Sequence, residues 1–122
     1  MPLPDAKRID LVVVKGETTR YVLELETETN GTVGPIDLTG YTLGCKVRRS
    51  AEDSAVLLTP TVAAIAPASG GAIELSIPAN ATSGLSLTHL FRAPYDIKFT
   101  APNGEIRRWI YGDLIFHLPI TD

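Results

Sequence analysis

Residues 94–104 decide the fold, and they read Pro-Tyr-Asp-Ile-Lys-Phe-Thr-Ala-Pro-Asn-Gly. Tyr95, Ile97 and Phe99 alternate with polar residues, which is the period of a strand with one face in a core. The Asn103-Gly104 pair that follows is the strongest short signal for a β-hairpin. A second apolar and aromatic run begins at Glu105. The stretch therefore predicts two long antiparallel strands joined by a tight turn.

The same alternation recurs on both sides of this hairpin. Its inward positions are Tyr21, Leu23, Leu25, Tyr41, Leu43, Cys45, Val47, Ile73, Leu75 and Ile77. Ten glycines and nine prolines separate the runs, as expected of short strands joined by turns. Only residues 78–85 have local helical character. The sequence predicts an all-β, antiparallel immunoglobulin-like β-sandwich of seven to eight strands with at most one short helical turn.

Several finer features follow from this interpretation. No segment is long enough for a parallel crossover helix, and a sandwich is favoured over a closed barrel. Tyr95 resembles the tyrosine corner of such sandwiches. Pro60 predicts an edge or bent strand, and Gly112 predicts a kink or bulge in the last strand. We expect an extended N-terminal segment over residues 1–8 and a single sandwich domain over 9–122.

Charge and hydropathy argue against two classes of partner. The formal net charge is −3, which gives no overall positive field for a phosphate backbone, so no nucleic-acid partner is expected. The apolar run from Leu11 to Val14 is far shorter than the roughly 20 residues of a membrane-spanning helix. The start, Met1 to Asp5, lacks the apolar stretch of a signal peptide, so we expect synthesis in a cytoplasm without signal-directed export.

Neither catalysis nor a cofactor is predicted. His89 and His117 lie in different segments, and no nucleophile elbow or zinc spacing is present. Cys45 occupies an alternating apolar position and is interpreted as a buried core thiol. The alternating Glu24, Glu26 and Glu28 suit a solvated face or a basic partner better than calcium. We therefore expect a protein that is not an enzyme and has no catalytic residue, cofactor or metal.

An excess of apolar residues on outer faces predicts a protein interface. In the first strand Val12 and Val14 face away from the core. In the last strand Ile106 and Ile110 can be core residues. Trp109 and Tyr111 then point outward, beside Arg107. Aromatic residues with arginine are enriched at interfaces, so these five residues are the predicted contact. The alternative is that a bulge or loop covers them. If Trp109 is exposed, Trp109→Ala leaves the fold intact and weakens docking.

The order of segments resembles a family of phage virion domains. The matching pieces are Ile9-Asp10-Leu11, Lys15-Gly16-Glu17-Thr18, Pro35-Ile36-Asp37-Leu38-Thr39-Gly40-Tyr41-Thr42, Gly71 to Pro78, Tyr95-Asp96-Ile97, Asn103-Gly104 and Tyr111-Gly112-Asp113-Leu114-Ile115. They are similar to the immunoglobulin-like N-terminal domain of siphophage baseplate upper proteins and related small tail proteins. That domain is a structural building block, usually an attachment module within a larger protein.

The resemblance implies a non-enzymatic virion structural protein, a tail, baseplate or fibre-attachment component. It implies location in the virion, contact with other virion proteins and a homo-oligomer. A carbohydrate-binding or adhesion module on the same sandwich, or a capsid decoration protein, stays open as the alternative. Few aromatic residues remain for sugar stacking once the core positions are assigned, so the structural role is preferred.

Overall fold

The computed structural model describes residues 6–48, 56–84 and 91–117. Strands make up most of these residues, together with a 3-10 turn at Ala68–Gly70 and a short helix, α1, at Ala79–Ser83. The strands are β1 Lys7–Arg8, β2 Leu11–Val14, β3 Thr19–Glu24, β4 Glu26–Thr29, β5 Thr32–Pro35, β6 Thr42–Arg48, β7 Val56–Leu58, β8 Thr61–Ala64, β9 Ala72–Ile77, β10 Phe91–Thr100 and β11 Ile106–His117. Within these ranges no helix is long and apolar enough to cross a membrane.

The strands form two packed sheets and a separate hairpin. The larger sheet has the order β1-β11-β10-β6-β7, with β2 also on β11, and the smaller has the order β3-β9-β8. β4 pairs with β5 alone. Every pairing is antiparallel except those of β1 and β2, which run parallel to β11. The predicted all-β, immunoglobulin-like sandwich is confirmed.

Eleven strands stand in the described residues where seven to eight were predicted, because two predicted strands are interrupted and two further strands form outside the predicted ones. Leu25 separates β3 from β4, and Pro60 lies between β7 and β8. Residues 34–40 were expected to form an irregular connection, yet Thr32–Pro35 forms β5. The sheet also includes Lys7–Arg8, which the sequence placed in the extended N-terminal segment.

Two prolines, Pro60 and Pro94, lie at positions where the strand needs no backbone N–H as a hydrogen-bond donor. β7 pairs with β6 in the larger sheet, whereas β8 pairs with β9 in the smaller, so the chain changes sheets at Pro60. Pro94 lies inside β10 in register with Asp113 of β11, but the Asp113 N–H donates to Asp10 Oδ1 and not to β10. The pairing of β10 with β6 begins only at Tyr95. Neither proline therefore removes a hydrogen bond from a continuous ladder.

The core lies between the sheets and uses the predicted inward positions. Ile73, Leu75 and Ile77 of β9 have no exposed surface, and neither do Ile97 and Phe99 of β10. Burying each such side chain contributes roughly 1.5–3 kcal/mol. Alternation thus placed the apolar residues of β9 and β10 correctly. Cys45 is buried among them, as predicted.

A bulge in β11 reverses the faces that the sequence assigned there. Ile110 pairs with Ile97, but Arg107 pairs with Phe99, so two residues, 108 and 109, stand opposite Lys98. The extra residue turns both Trp109 and Ile110 inward, where they are 4% and 3% exposed. The predicted outward Trp109 is therefore wrong, and so is Ile106 as core, which is 43% exposed.

Of the kink or bulge predicted at Gly112, the bulge is wrong, because Gly112 pairs in register with Tyr95. The glycine serves a close approach instead. A β-carbon at 112 would collide with the carbonyl oxygen of Ile9, which lies over this point of β11. Only hydrogen at this position lets the chain between β1 and β2 lie against β11.

Tyr95 is not a tyrosine corner. It lies within β10, not at its start, and its hydroxyl donates to the carbonyl oxygen of Ile9 at 2.6 Å. In a tyrosine corner the hydroxyl bonds backbone a few residues upstream in the same part of the chain. Here it ties the N-terminal strand, 86 residues away, to the centre of the larger sheet. Burial raises the pKa of this phenol, which therefore stays protonated.

Two further hydroxyls hold the N-terminal strand. The Tyr21 hydroxyl of β3 donates to the Val12 carbonyl at 2.7 Å and accepts from the Val12 N–H at 3.1 Å. The buried Thr82 of α1 accepts a bond from the Gly16 N–H at 2.9 Å. Tyr21 thereby occupies backbone groups on the free side of β2 that an edge strand otherwise presents to other chains.

Removal of the Tyr21 hydroxyl tests this inter-sheet connection. Tyr21→Phe is expected to lower the free energy of unfolding by about 1 kcal/mol, because two hydrogen bonds are replaced by bonds to water at a partly exposed strand. Urea unfolding followed by circular dichroism measures it. Tyr111→Phe is the control, since it removes a hydroxyl from an exposed side chain. Equal stability of both variants would show that the Tyr21 contact contributes nothing.

Candidate binding surface

The outer face of the six-stranded sheet carries a row of polar side chains around one tyrosine. Strand register places Lys46 of β6 beside Asp96 of β10, Asp96 beside Tyr111 of β11, and Tyr111 beside Arg8 of β1. Lys46, Asp96 and Tyr111 each stand between two buried residues, so alternation alone directs them outward, and Arg8 is exposed as well. Tyr111 is 41% exposed and lies in the middle of the row.

Four charged residues form an ion-pair cluster at one end of this row. Nη2 of Arg8 lies 2.9 Å from Asp113 Oδ2 and 3.3 Å from Asp10 Oδ1. Arg92 approaches the same two carboxylates, at 3.3 Å to Asp113 and 3.4 Å to Asp10. Asp10 Oδ1 also accepts the backbone N–H of Asp113 at 2.9 Å. Each side chain has two partners within the cluster, although exposed pairs contribute little stability.

Basic side chains dominate the other end of the face. The bulge directs Arg108 outward, where its Nε lies 3.2 Å from Asp96 Oδ2. Lys46 and Lys98 are exposed, and neither has an ion-pair partner among residues 6–48, 56–84 and 91–117. The face therefore presents two ammonium groups to solvent beside neutralised arginines.

A shallow depression of about 590 Å³ joins the two ends. Its lining includes Arg8, Gly44, Lys46, Asp96, Tyr111 and Asp113. A β-carbon at Gly44 would meet nothing within 4 Å, so the absent side chain leaves this part of the surface open. An aromatic ring between fixed cations and carboxylates can bind a polar surface by packing and directed hydrogen bonds.

Cys45 lies beneath this depression without the chemistry of a nucleophile. Burial raises the pKa of its thiol to about 12, and the charge of Asp96 adds to the effect. The thiolate is the reactive form, so the neutral thiol present at pH 7 is a poor nucleophile.

The five predicted interface residues fall into three groups. Val12, Val14 and Tyr111 all belong to the outer face of the larger sheet, with Val12 45% exposed. Arg107 lies beyond the bulge, with Nη2 3.5 Å from Glu105 Oε2. Trp109 lies in the core, its ring centroid 4.9 Å from that of Phe99 and 6.0 Å from that of Tyr41. Of these five residues, only Trp109 fits the alternative interpretation, in which a bulge removes the side chain from the surface.

Sequence reasoning missed the ion-pair cluster. Its members are separated by up to 105 residues, as between Arg8 and Asp113, so no local motif joins them. One signal was present in the sequence, since Arg92, Asp96 and Lys98 occupy alternate positions of the strand that contains Tyr95. Which charges meet them depends on the parallel pairing of the N-terminal strand with β11.

The glutamates and histidines are the residues that could bind a metal ion or transfer a proton. Glu24, Glu26 and Glu28 are exposed and lie on two strands, β3 and β4, not on one. No group of three potential metal ligands occurs in the described part of the chain. His117 is exposed at the end of β11, and His89 lies outside the described residues.

Comparison with known proteins adds one structural likeness. No protein-family model matches the chain, and no curated protein matches it. A solved structure of murine CRIg is similar over 90% of this chain and 92% of that chain, at 12% identity and a TM-score of 0.41. The fold class rests on the strand order and pairing described above.

Proposed function

We propose that this protein is a non-enzymatic virion structural protein, a tail, baseplate or fibre-attachment component that acts by protein–protein contact through the outer face of the six-stranded sheet. The observation that carries the proposal is the half-exposed Tyr111 between fixed arginine–aspartate pairs. Tyrosine and arginine are the residues that most often anchor interfaces. Charged groups around such an anchor select the partner and its orientation.

The ion pairs already formed on this face favour binding. Arg8, Asp10, Arg92 and Asp113 hold one another before any partner arrives. Side chains that are already ordered lose less conformational entropy on association. Tyr111 itself stands on a central part of β11, paired with β10 on one side and β1 on the other.

The virion setting is supported by where the family-like segments lie. Asp10, Asp96, Tyr111 and Asp113 all come from stretches that resemble the phage domains, and all four belong to the outer face. Three of the pieces of sequence that suggest the family thus contribute residues to the candidate contact surface. We propose other virion proteins as the partners.

Mass spectrometry of particles tests this role. Gradient-purified particles from the source of this sequence are expected to contain the chain in stoichiometric amount. Tagged Tyr111→Ala is expected to enter particles at least about tenfold less than wild type, as for loss of an interface anchor. Ile106→Ala is the matched control, since Ile106 is equally exposed at the start of the same strand. Absence of the chain from particles, with specific binding to a glycan array, would favour the carbohydrate-binding alternative.

A further inference from the structure

The two sheets of the sandwich carry opposite charge. The strands of the six-stranded sheet contain eight lysine and arginine residues against two aspartates. The strands of the smaller sheet and the β4–β5 hairpin contain four glutamates against one arginine, Arg20. The formal net charge of −3 conceals this separation.

Three of the acidic residues are exposed, and the fourth, Glu74, is partly buried. Glu24, Glu26 and Glu28 stand at alternate, exposed positions, with Leu25 and Thr27 buried between them. Glu74 of β9 lies beside Val22 of β3, which is 59% exposed. We call this surface, defined by Glu24, Glu26, Glu28 and Glu74, the acidic face.

The opposite surface is its complement. We call the outer side of the larger sheet, with Lys46, Lys98, Arg108 and Tyr111, the basic face. Lys46 and Lys98 point to solvent without an ion-pair partner within the described ranges. Complementary potentials attract over roughly a Debye length, about 10 Å at 0.1 M salt.

We infer that the basic face of one copy docks on the acidic face of a second copy. The inference rests on the proposed function, because it specifies one of the protein contacts that such a building block would make. The outer faces of the two sheets lie on opposite sides of the sandwich, so the contact is heterologous and joins copies head to tail. Repetition of such a contact gives a ring if the rotation closes and a filament if it does not.

The size of the faces sets the strength of the contact. Four strands about 4.8 Å apart, over about six residues of roughly 3.3 Å each, cover about 400 Å² per partner. Interfaces of this size are weak and transient in dilute solution. We expect a dissociation constant in the micromolar range or weaker, so association must be followed to high concentration at low salt.

A second copy fits the basic face better than a nucleic acid does. Asp96, Asp113 and Asp10 lie among the basic side chains and neutralise Arg8, Arg92 and Arg108 in part. A polyphosphate backbone would be repelled by these carboxylates, whereas a surface with separate glutamates and exposed valines can avoid them. Tyr111 also gives an apolar contact for Val22, whose neighbour is Glu74.

Charge reversal on each face tests the inference. Sedimentation equilibrium in about 50 mM salt measures association for the wild type, for Lys46→Glu with Lys98→Glu, and for Glu24→Lys with Glu28→Lys. The wild type is expected to associate, and about 500 mM salt is expected to weaken it at least about tenfold. Each double variant is expected to remain monomeric. An equimolar mixture of the two is expected to recover association, because each then supplies the intact face that the other lacks.

Control variants distinguish the loss of the contact between the two faces from a general effect of net charge. Glu17→Lys with Glu105→Lys changes the net charge by the same amount as the acidic-face variant, in turns outside both faces, and is expected to associate like wild type. Equal loss in this control, no recovery in the mixture, or a wild type that stays monomeric would overturn the inference. So would low-salt binding of duplex DNA by a monomeric wild type. A monomeric chain that is still found in purified particles overturns head-to-tail docking but leaves the virion role standing.

Discussion

Trp109→Ala is expected to lower the free energy of unfolding by about 3–5 kcal/mol, as large-to-small changes of buried aromatic residues do. The indole is 4% exposed and packs against Phe99 and Tyr41. Alanine would leave a cavity between the sheets that the paired strands cannot collapse to fill. Small domains are stable by only about 5–15 kcal/mol, so the variant would lose a large share of its stability.

Urea unfolding monitored by far-ultraviolet circular dichroism measures this loss. Tyr111→Ala is the matched control, two residues along the same strand and 41% exposed, and is expected to lose about 1 kcal/mol or less. A stable Trp109→Ala with unchanged midpoint would contradict the inward orientation. It would restore the expectation that Trp109 faces a partner.

Gly112→Ala is expected to destabilise the protein by about 3 kcal/mol through steric overlap. The new β-carbon would collide with the Ile9 carbonyl oxygen and would come within 3.0 Å of Asp10 Oδ1. The strand cannot yield without separating β1 and β2 from β11. The hydrogen bond from the Tyr95 hydroxyl to Ile9 would break at the same time.

Hydrogen exchange locates the damage. Protection of the β2 amides is expected to fall in Gly112→Ala more than that of β9, which belongs to the other sheet. Gly44→Ala is the control, because a β-carbon there meets nothing within 4 Å and its backbone conformation is an ordinary one. If both variants unfold at the same urea concentration, the close approach at Gly112 contributes nothing to the free energy of unfolding.

The same close approach links folding to the candidate surface. Arg8 and Asp10 reach the outer face only because the chain from β1 to β2 lies against β11. Loss of that pairing would remove half of the ion-pair cluster and its contact with Asp113. Gly112→Ala is therefore expected to reduce incorporation into particles together with stability, whereas Tyr111→Ala reduces incorporation with little loss of stability.

The sequence by itself determined the class of fold and most of the core. Period-two alternation is a local property, and one buried face is enough to specify which side of a strand is apolar. Ile73, Leu75, Ile77, Ile97 and Phe99 were placed correctly for this reason. The Asn103-Gly104 turn joins the strands it was predicted to join.

Only the tertiary structure decided the site. One extra residue in β11 turned Trp109 into the core, since a single insertion reverses the face of every residue beyond it. The meeting of Arg8, Asp10, Arg92 and Asp113, and the separation of basic from acidic faces, depend on which strands become neighbours. That choice is made by contacts between residues up to 105 positions apart, and alternation along one strand carries no information about it.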